Sequence, residues 1–583
     1  MKRILSDLLV FWRTLVIVLT PLLLLPLLIY NPSSESRCAY VVILMAVYWM
    51  TEALPLGVTA LLPIVALPVL GITGAKQAAS NYIKDSNMVF MGGLIMAISL
   101  EKSGLHKRMA LRILMFIGTS PARLLFGFML ASWFLSMWIS NAAATAMMMP
   151  VAEAALQQLK HVMTQHLKPI VTEIEPEVEE TAIDEKQEQP YSSAYNSLQN
   201  NSHVVVVKEP KIDQHMKRVE SYLTNMCKMF SLGVCYAANV GGNATLMGNT
   251  PNLVFKGMLD EIYERYGLIS PINYTSWIPF ALPGSFICFI IAWVWLQIFS
   301  LGFKAVDSTV TERATRSIII QEYNKLGPMT FAEVSNLFFF GFLVVLWLCR
   351  APGFVPGYSA LFQPGFVTDV VPAMFVCVIL FAWPAERPDW ICFTKGKAKA
   401  TSKDSLVDWR TVTVKFPWHL LLIMGGGFAL AQACQISGLS QLIGGQLANL
   451  SNVAPWIIVL IVSILTGAMT EIATNTATMT LVMPILDALA KNVDISLVYL
   501  CFPANQASNF AFMLPVATGP NAIVYSFGHL RVIDMVSYPC IHVQNQGNVQ
   551  LYYSVKNTII QLCRGSSFYP TEQIDIFCVA NCL

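Results

Sequence analysis

The chain has 583 residues, of which 55% are hydrophobic and only 12% are charged. An ordinary soluble domain has about 25% charged residues, so this composition excludes a typical water-soluble globular protein. The formal net charge is +2, and a chain with so little basic excess has no means of neutralising a nucleic-acid backbone. Because a helix needs about 20 mostly apolar residues to cross a bilayer, the long apolar runs predict an all-α polytopic membrane protein.

The first apolar run, Leu15 to Tyr30, follows the basic residues Lys2 and Arg3. This run is longer than the apolar part of a signal peptide and lacks a small-residue cleavage pattern. We therefore expect a retained first helix with a cytoplasmic N-terminus. Further apolar blocks have room for eight to eleven crossings in total, and they lie at about residues 39–72, 88–158, 223–300, 335–384 and 416–535.

Residues 160–218 form a polar stretch that is rich in glutamate. Such a composition offers too few apolar side chains to bury a core. The stretch therefore predicts a flexible cytoplasmic loop between two apolar parts of the chain.

Two segments of the sequence recur at one constant spacing. Residues 92–105 match residues 426–439. Each segment begins with Gly-Gly and ends with Ser-Gly-Leu, and each of these elements lies 334 positions after its counterpart in the first segment (438 minus 104). The motif around Asn141 matches the motif around Asn475 at the same spacing (475 minus 141). Two matches at one spacing indicate a duplicated unit. A Gly-rich apolar segment followed by a polar interruption is typical of discontinuous helices at a transporter's binding site.

Asn141 and Asn475 each lie inside apolar sequence, where an amide side chain is costly unless it meets a partner or a wet cavity. One interpretation is helix packing, because small-residue runs such as residues 141–145 let two backbones approach closely. The duplication favours a second interpretation, in which two equivalent half-sites meet near the membrane midplane. A broken helix offers carbonyl and amide oxygens that suit sodium, and its free N–H groups attract an anion.

Two further segments, residues 241–252 and 512–521, contain small residues and end in Pro-Asn. Alone, each is explained equally well by ordinary loop capping. When the two are aligned on Pro-Asn, Gly248 corresponds to Ala517. Each copy of the duplicated unit then has one Asn motif and one such bend, which predicts two similar cation pockets.

Glu471 lies four residues before Asn475 and on the same helical face. An acidic residue at membrane depth is a functional candidate, and a buried partner for an amide or a cation is an equal alternative. The cysteines of the apolar segments, among them Cys235, form no CxxC pair and are interpreted as small core residues. Because the sequence has no HExxH motif and no paired-carboxylate constellation, we expect no enzyme.

The sequence resembles the divalent anion:sodium symporter family, which contains the sodium-coupled dicarboxylate, citrate and sulfate cotransporters. The resemblance covers about residues 10–535. Besides the two Asn motifs it is carried by residues 48–55, 101–108, 425–430 and 512–518. It implies two inverted repeats with re-entrant hairpins and discontinuous helices, a scaffold domain, a transport domain that moves as an elevator, and a homodimer.

The resemblance divides the chain into five parts. Residues 1–159 hold the scaffold helices, the re-entrant hairpin and the first Asn motif of the first repeat. Residues 160–218 are the flexible cytoplasmic loop, 219–300 the end of the first repeat, 301–535 the second repeat and 536–583 an atypical C-terminal tail. After Met535 the family continues into a last membrane helix, whereas this tail has no run of about 18 apolar residues. We expect the chain to lack that final scaffold helix.

By position, the resemblance also implies two sodium sites and one anion site. The first sodium site comprises Ser136, Ser140, Asn141 and Gly248. The second comprises Thr470, Ala473, Asn475 and Ala517. The substrate anion lies between the motif tips, near Asn141, Ala142, Asn475, Thr476 and Thr518. Position 142 is alanine here, where the family usually has threonine, so one hydroxyl is missing from the expected anion contact.

The function that the resemblance implies is sodium-coupled import of di- or tricarboxylates, such as succinate or citrate, across the plasma membrane. Sodium–sulfate cotransport and a passive anion channel are the alternatives. Sodium is the expected co-transported ion, with no organic cofactor. Bringing an anion into an inside-negative cell costs about 2.3 kcal/mol per charge per 100 mV, and coupling to entering sodium ions reverses the sign of that work.

Overall fold

The computed structural model describes most of the chain as helices. The described residues are 11–117, 121–172, 211–265, 267–268, 270–298, 317, 319–352, 355–363, 365–387, 403–447, 453–515 and 517–537. Within these ranges no β-strand forms, and one isolated bridge joins Pro384 to Ser405.

Five helical segments of the described chain are long and apolar enough to cross a membrane, namely Trp12–Tyr30, Ala75–Ser103, which comprises the two helices Ala75–Ser80 and Asp85–Ser103, Tyr274–Leu296, Phe331–Arg350 and Trp418–Ile436. Four apolar segments are shorter, namely Leu56–Val69, Ala122–Ser136, Val370–Ala382 and Pro455–Thr470. These helices confirm the prediction of an all-α polytopic membrane protein. The predicted first membrane helix is present, and none of its residues is buried against the rest of the chain.

The N-terminal part of the chain contains the helices α1 (Trp12–Tyr30), α2 (Ser34–Thr51), α3 (Leu56–Thr59), α4 (Leu62–Val69), α5 (Ala75–Ser80), α6 (Asp85–Ser103) and α7 (Leu105–Ile117). The next helices are α8 (Pro121–Ser136), α9 (Asn141–Thr172), α10 (Lys211–Gly242), α11 (Thr250–Arg265) and α12 (Tyr274–Leu296).

The second part of the chain contains α13 (Phe331–Arg350), α14 (Val370–Ala382), α15 (Trp409–Lys415), α16 (Trp418–Ile436), α17 (Leu439–Leu447), α18 (Pro455–Thr470), α19 (Asn475–Val493), α20 (Leu497–Ser508), α21 (Gly519–Ser526) and α22 (Val532–Ser537). A short 3₁₀ turn, Tyr358–Leu361, lies between α13 and α14.

Helix bounds repeat at the spacing found in the sequence. Both ends of α8 lie 334 residues before the corresponding ends of α18, and α9 and α19 both begin at the asparagine of their motif. The starts of α11 and α21 are 269 residues apart, as are the two Pro-Asn dipeptides (521 minus 252). The duplicated sequence therefore forms helices that break at equivalent positions.

Packing between helices repeats in the same way. Helix α8 packs on α10 as α18 packs on α20, and α9 packs on α10 as α19 packs on α20. Across the two copies, α9 packs on α21 and α19 packs on α11. Each Asn-motif helix therefore lies against the bend of the other copy.

Helices extend into residues 160–218 from both sides, contrary to the expectation of a loop for the whole stretch. Helix α9 continues to Thr172 and α10 begins at Lys211, while residues 173–210 lie outside the described part of the chain. Residues 160–168 and 211–223 contain neither glycine nor proline, and the one proline of α9 beyond residue 160, Pro169, lies in its last turn. The composition of these segments is therefore compatible with the adjoining helices. Of the tail expected at residues 536–583, residues 538–583 lie outside the described part of the chain.

A buried ion pair between Arg108 and Glu333 joins α7 to α13. Nε and Nη2 of Arg108 donate to the two carboxylate oxygens of Glu333 at 2.9 and 3.1 Å, and both side chains are buried. The remaining guanidinium hydrogens are donated to backbone carbonyls of residues 326–328. Glu333 also closes a capping box with Thr330 at the start of α13. The pair thus fixes the N-terminal end of α13 against the first half of the chain.

We predict that Arg108→Ala destabilises the protein strongly, because it leaves the Glu333 carboxylate buried without its counter-ion. The expected cost is about 3–5 kcal/mol, measured as a lower apparent unfolding temperature of the purified chain in detergent. Lys325→Ala is the matched control, since Lys325 pairs with Glu322 at the surface and exposed pairs are worth about 1 kcal/mol or less. Equal shifts for the two variants would contradict a structural role for the buried pair.

Candidate functional site

The first Asn motif and the first bend form one cluster of buried oxygen atoms. The hydroxyl of Ser136 donates to Oδ1 of Asn141 at 2.7 Å. A Cβ placed on Gly248 would lie 2.6 Å from the carbonyl oxygen of Gly242 and 2.9 Å from that of Ser136. A Cβ on Gly242 would in turn overlap the amide of Asn141. The structure therefore brings together Ser136, Asn141 and Gly248.

The carbonyl of Gly242 joins this cluster, although the sequence analysis did not select it. It belongs to the last residue of α10, and a carbonyl at a helix end has no partner within its own helix. The Gly241-Gly242 pair was the available signal, because only a residue without Cβ allows so close an approach.

Ser140 is placed differently from the other residues of the first predicted sodium site. It is exposed, and its hydroxyl accepts a hydrogen bond from the backbone N–H of Ala143 at 3.3 Å. Thr474 accepts from the N–H of Ala477 in the same way at the start of α19. Both hydroxyls therefore act as helix N-caps.

The second Asn motif repeats the geometry of the first. The hydroxyl of Thr470 donates to Oδ1 of Asn475 at 2.8 Å and also lies 2.6 Å from the carbonyl oxygen of Ser508. Ala473 and Ala517, the other two residues of the second predicted sodium site, are buried. Within the described residues neither forms a hydrogen bond to Asn475. Only their backbone oxygens are available as ligands. The structure thus brings together Thr470 and Asn475, and it adds the carbonyl of Ser508.

The asparagine of each Pro-Asn dipeptide closes its own bend. Nδ2 of Asn252 donates to the carbonyls of Gly242 at 3.1 Å and Thr245 at 3.0 Å. Nδ2 of Asn521 donates to the carbonyls of residues 511 and 514 at 3.0 and 2.9 Å. In each bend, one acceptor carbonyl lies 10 residues and the other 7 residues before the asparagine that donates to them. The two bends therefore share one hydrogen-bond pattern.

Glu471 distinguishes the second bend from the first. Its carboxylate accepts hydrogen bonds from the backbone N–H groups of Phe512 at 2.9 Å and Met513 at 3.0 Å. At the equivalent position of the first copy, 334 residues earlier, the chain has Met137, whose carbonyl accepts the hydroxyl of Thr245. The carboxylate is thus a partner for backbone amides, and it gives the second bend an acidic group that the first bend lacks.

The tip of the first Asn motif touches the start of α21. A Cβ on Gly519 would lie 2.9 Å from the Cβ of Ala142. Thr518 caps α21, with its hydroxyl accepting from the N–H of Asn521 at 3.4 Å. Ala142 and Thr518 are therefore brought close together.

The second motif tip is less directly connected to the first. Thr476 is buried, and its carbonyl accepts the hydroxyl of Thr480 at 2.8 Å. No hydrogen bond joins Asn141 to Asn475 or Thr476 within the described part of the chain. Helix α9 packs on α21 and α19 packs on α11, and the free N–H groups and positive dipole ends at the beginnings of helices suit an anion.

Comparison with known proteins agrees with this architecture. Residues 7–542 match the family described as the sodium:sulfate symporter transmembrane region. The rat Na⁺/citrate cotransporter is 39% identical over 544 residues, which cover 90% of this chain and 91% of that protein. Human Na⁺/dicarboxylate cotransporter 3 is 38% identical over 546 residues, covering 90% and 88%. Human solute carrier family 13 member 1 is 39% identical over 553 residues, covering 91% and 92%.

The relatives match about nine tenths of the chain, and the family match over residues 7–542 includes both Asn motifs and both bends. They confirm the resemblance drawn from the sequence. The chain therefore belongs to the sodium:sulfate symporter family.

Proposed function

We propose that this chain is a sodium-coupled symporter that imports di- or tricarboxylates, such as succinate and citrate, across the plasma membrane. The observation that carries the proposal is the duplicated contact between a hydroxyl and an amide oxygen, Ser136 with Asn141 and Thr470 with Asn475. The names of the Na⁺/citrate and Na⁺/dicarboxylate relatives support the choice of carboxylates.

Sodium ions occupy the two oxygen clusters in this proposal. Of the residues of the first predicted site, Ser136, Asn141 and Gly248 hold the first ion, whereas the exposed Ser140 caps α9 with its hydroxyl. The second is held by Thr470, Ala473, Asn475 and Ala517. A hard cation exchanges its water shell for carbonyl, amide and hydroxyl oxygens most favourably where those oxygens are already held in place. Hydrogen bonds from Asn252 and Asn521 to the bends support such preorganisation.

The anion lies between the motif tips, near Asn141, Ala142, Asn475, Thr476 and Thr518. Neither Asn-motif segment, residues 136–150 or 470–484, contains lysine or arginine. Helix N-termini and the two sodium ions therefore supply the positive potential that the anion needs. By linkage, sodium raises the affinity for the anion by the factor by which the anion raises the affinity for sodium.

The proposed architecture comprises two inverted repeats, a scaffold domain, a transport domain with elevator movement, and a homodimer. The first repeat comprises residues 1–159 and 219–300 and the second residues 301–535. Helices α8 and α18 have 16 residues each, about 24 Å at 1.5 Å per residue, which is shorter than a bilayer core of about 30 Å. This length supports two re-entrant hairpins, α8 with α9 and α18 with α19.

Sulfate is the second candidate substrate, because the matching family is described by sodium:sulfate symport. Sulfate and a dicarboxylate share two negative charges and differ in the separation of those charges. A passive anion channel would need no cation pocket, so voltage-driven anion flux without sodium would distinguish it.

We predict that the chain takes up radiolabelled succinate or citrate in sodium but not when choline replaces sodium. Asn141→Ala and Asn475→Ala should each abolish this uptake, because each removes an amide oxygen shared by a cation pocket and the anion site. Asn492→Ala is the matched control on α19, where the side chain is exposed and donates to the carbonyl of Ala488. Surface biotinylation normalises all values.

The same assay with labelled sulfate separates the two candidate substrates. Sodium-dependent uptake of sulfate alone would replace the carboxylate proposal. Equal uptake in sodium and in choline would contradict sodium coupling for either anion.

We predict that Gly248→Ala reduces sodium-dependent uptake at least tenfold, because its Cβ would lie within 3 Å of the carbonyls of Gly242 and Ser136. The sodium concentration for half-maximal uptake should rise if activity remains measurable. Gly341→Ala on α13 is the control, since a Cβ there meets no atom within 4 Å. Wild-type sodium dependence in Gly248→Ala would contradict a cation pocket at this bend.

We predict that Ala142→Thr lowers the KM for the transported anion, because it adds a hydroxyl donor at the proposed contact. A hydrogen bond to a charged group is worth about 1.5–3 kcal/mol, so the decrease in KM is about tenfold or more. Ala146→Thr is exposed on the same helix and should leave the KM unchanged. Identical KM values for the two variants would remove residue 142 from the anion site.

A further inference from the structure

The asparagines of the two Pro-Asn dipeptides each connect their bend to the other half of the chain. Oδ1 of Asn252 accepts hydrogen bonds from Nδ2 of Asn505 at 2.9 Å and of Asn509 at 3.1 Å. Oδ1 of Asn521 accepts from the thiol of Cys235 at 2.9 Å. Because Nδ2 of each asparagine holds its own bend, one amide group joins the bend of one copy to a helix of the other.

A continuous series of side chains runs from the first cation pocket to the second bend. Nδ2 of Asn141 donates to Oδ1 of Asn239 at 3.3 Å. Nδ2 of Asn239 lies 3.8 Å from Sγ of Cys235, toward which it donates. The thiol of Cys235 donates to Asn521, which donates to the carbonyl of Leu514 in the second bend. Every bond points in the same direction, away from the first pocket.

A second series runs from the second cation pocket to the first bend. The hydroxyl of Thr470 contacts the carbonyl of Ser508, and the Ser508 hydroxyl donates to the carbonyl of Asn505 at 2.7 Å. Asn505 donates to Asn252, which donates to the carbonyls of Gly242 and Thr245. The two series therefore connect the same two pockets in opposite directions.

Water has no access to either series. The side chains of both series between the pockets are fully buried, with 0% exposure for Cys235, Asn239, Asn252, Asn505, Ser508 and Asn521. A donor or acceptor that loses its partner there stays unsatisfied. The hydrogen bonds of the first series are joined head to tail, and such bonds strengthen one another in a medium of low polarity. The second series is connected through the backbone of α20 between Ser508 and Asn505. A change at one end of a series thus alters the hydrogen bonds at the other end.

We propose that these six residues, the asparagine relay, couple the two cation pockets, so that sodium in one pocket raises the sodium affinity of the other without any bound anion. A cation on Oδ1 of Asn141 draws electron density from the amide and makes Nδ2–H a stronger donor to Asn239. The strengthened series then holds the second bend in its ion-binding shape. The relay residues are positioning residues, and this inference rests on the proposed sodium pockets.

Sodium titration of the purified full chain tests the proposal. Thermal stability is followed as sodium replaces potassium at constant ionic strength, with no carboxylate or sulfate present. Two coupled sites give a Hill coefficient between about 1 and 2. Cys235→Ala and Asn505→Ala should each bring this coefficient to about 1 and raise the sodium midpoint by roughly fivefold or more, the lower range of measured coupling.

Two matched variants separate coupling from a general loss of packing. Cys235→Ser keeps a hydroxyl donor for Asn521 and should retain the cooperative titration. Cys501→Ala removes the same atoms from a cysteine that is equally buried on α20 but outside the relay, and it should also retain cooperativity.

The outcomes distinguish this inference from the proposed function. A cooperative titration of the unmodified chain that persists in both Cys235→Ala and Asn505→Ala overturns the relay alone. A coefficient that falls equally in Cys501→Ala also overturns it. An unmodified chain that sodium does not stabilise relative to potassium overturns the sodium pockets, and the relay with them.

Discussion

Breaking a helix inside a membrane leaves backbone N–H and C=O groups without partners, and the rest of this structure depends on how those groups are satisfied. Water is absent from the bilayer core, so each unpaired group costs several kcal/mol. The chain meets this constraint with short polar side chains placed at the breaks. Asn252 and Asn521 bind carbonyls of their bends, and Glu471 binds the N–H groups of Phe512 and Met513. Carbonyls of these breaks, together with the pairs Ser136–Asn141 and Thr470–Asn475, form the two oxygen clusters.

The two clusters are alike in hydroxyl and amide but differ in charge and shape. Glu471 adds a carboxylate beside the second cluster, where the first has the carbonyl of Met137. Gly248 in the first bend corresponds to Ala517 in the second, and only the first position lacks room for a Cβ. The first cluster thus has no room for a side chain at the glycine position, and the second has an acidic group beside it. Two equivalent sequences have in this way become two chemically different clusters.

The sequence alone was sufficient to predict the membrane class, the duplication, and the pairs Ser136–Asn141 and Thr470–Asn475. A constant spacing between polar interruptions is visible without any structure. The outward position of Ser140 was not predictable, because a hydroxyl one residue before a helix serves equally as an N-cap or as an ion ligand. The helical ends of residues 160–218 were missed because polar composition reports on burial and not on helix formation. Cys235 was interpreted only as a core residue. Its hydrogen bond to Asn521 was not predictable, because it joins positions 286 residues apart.

The exchange of packing partners between the two copies has a consequence for the history of the chain. Each Asn-motif helix rests on the bend helix of the opposite copy, α9 on α21 and α19 on α11. A single copy on its own would expose the surface of its Asn-motif helix and the surface of its bend helix, because the partner of each belongs to the other copy. This exchange is the packing expected of two identical half-length subunits that were later joined in one chain. Once the copies are joined, residues such as Met137 and Glu471 are free to differ at equivalent positions.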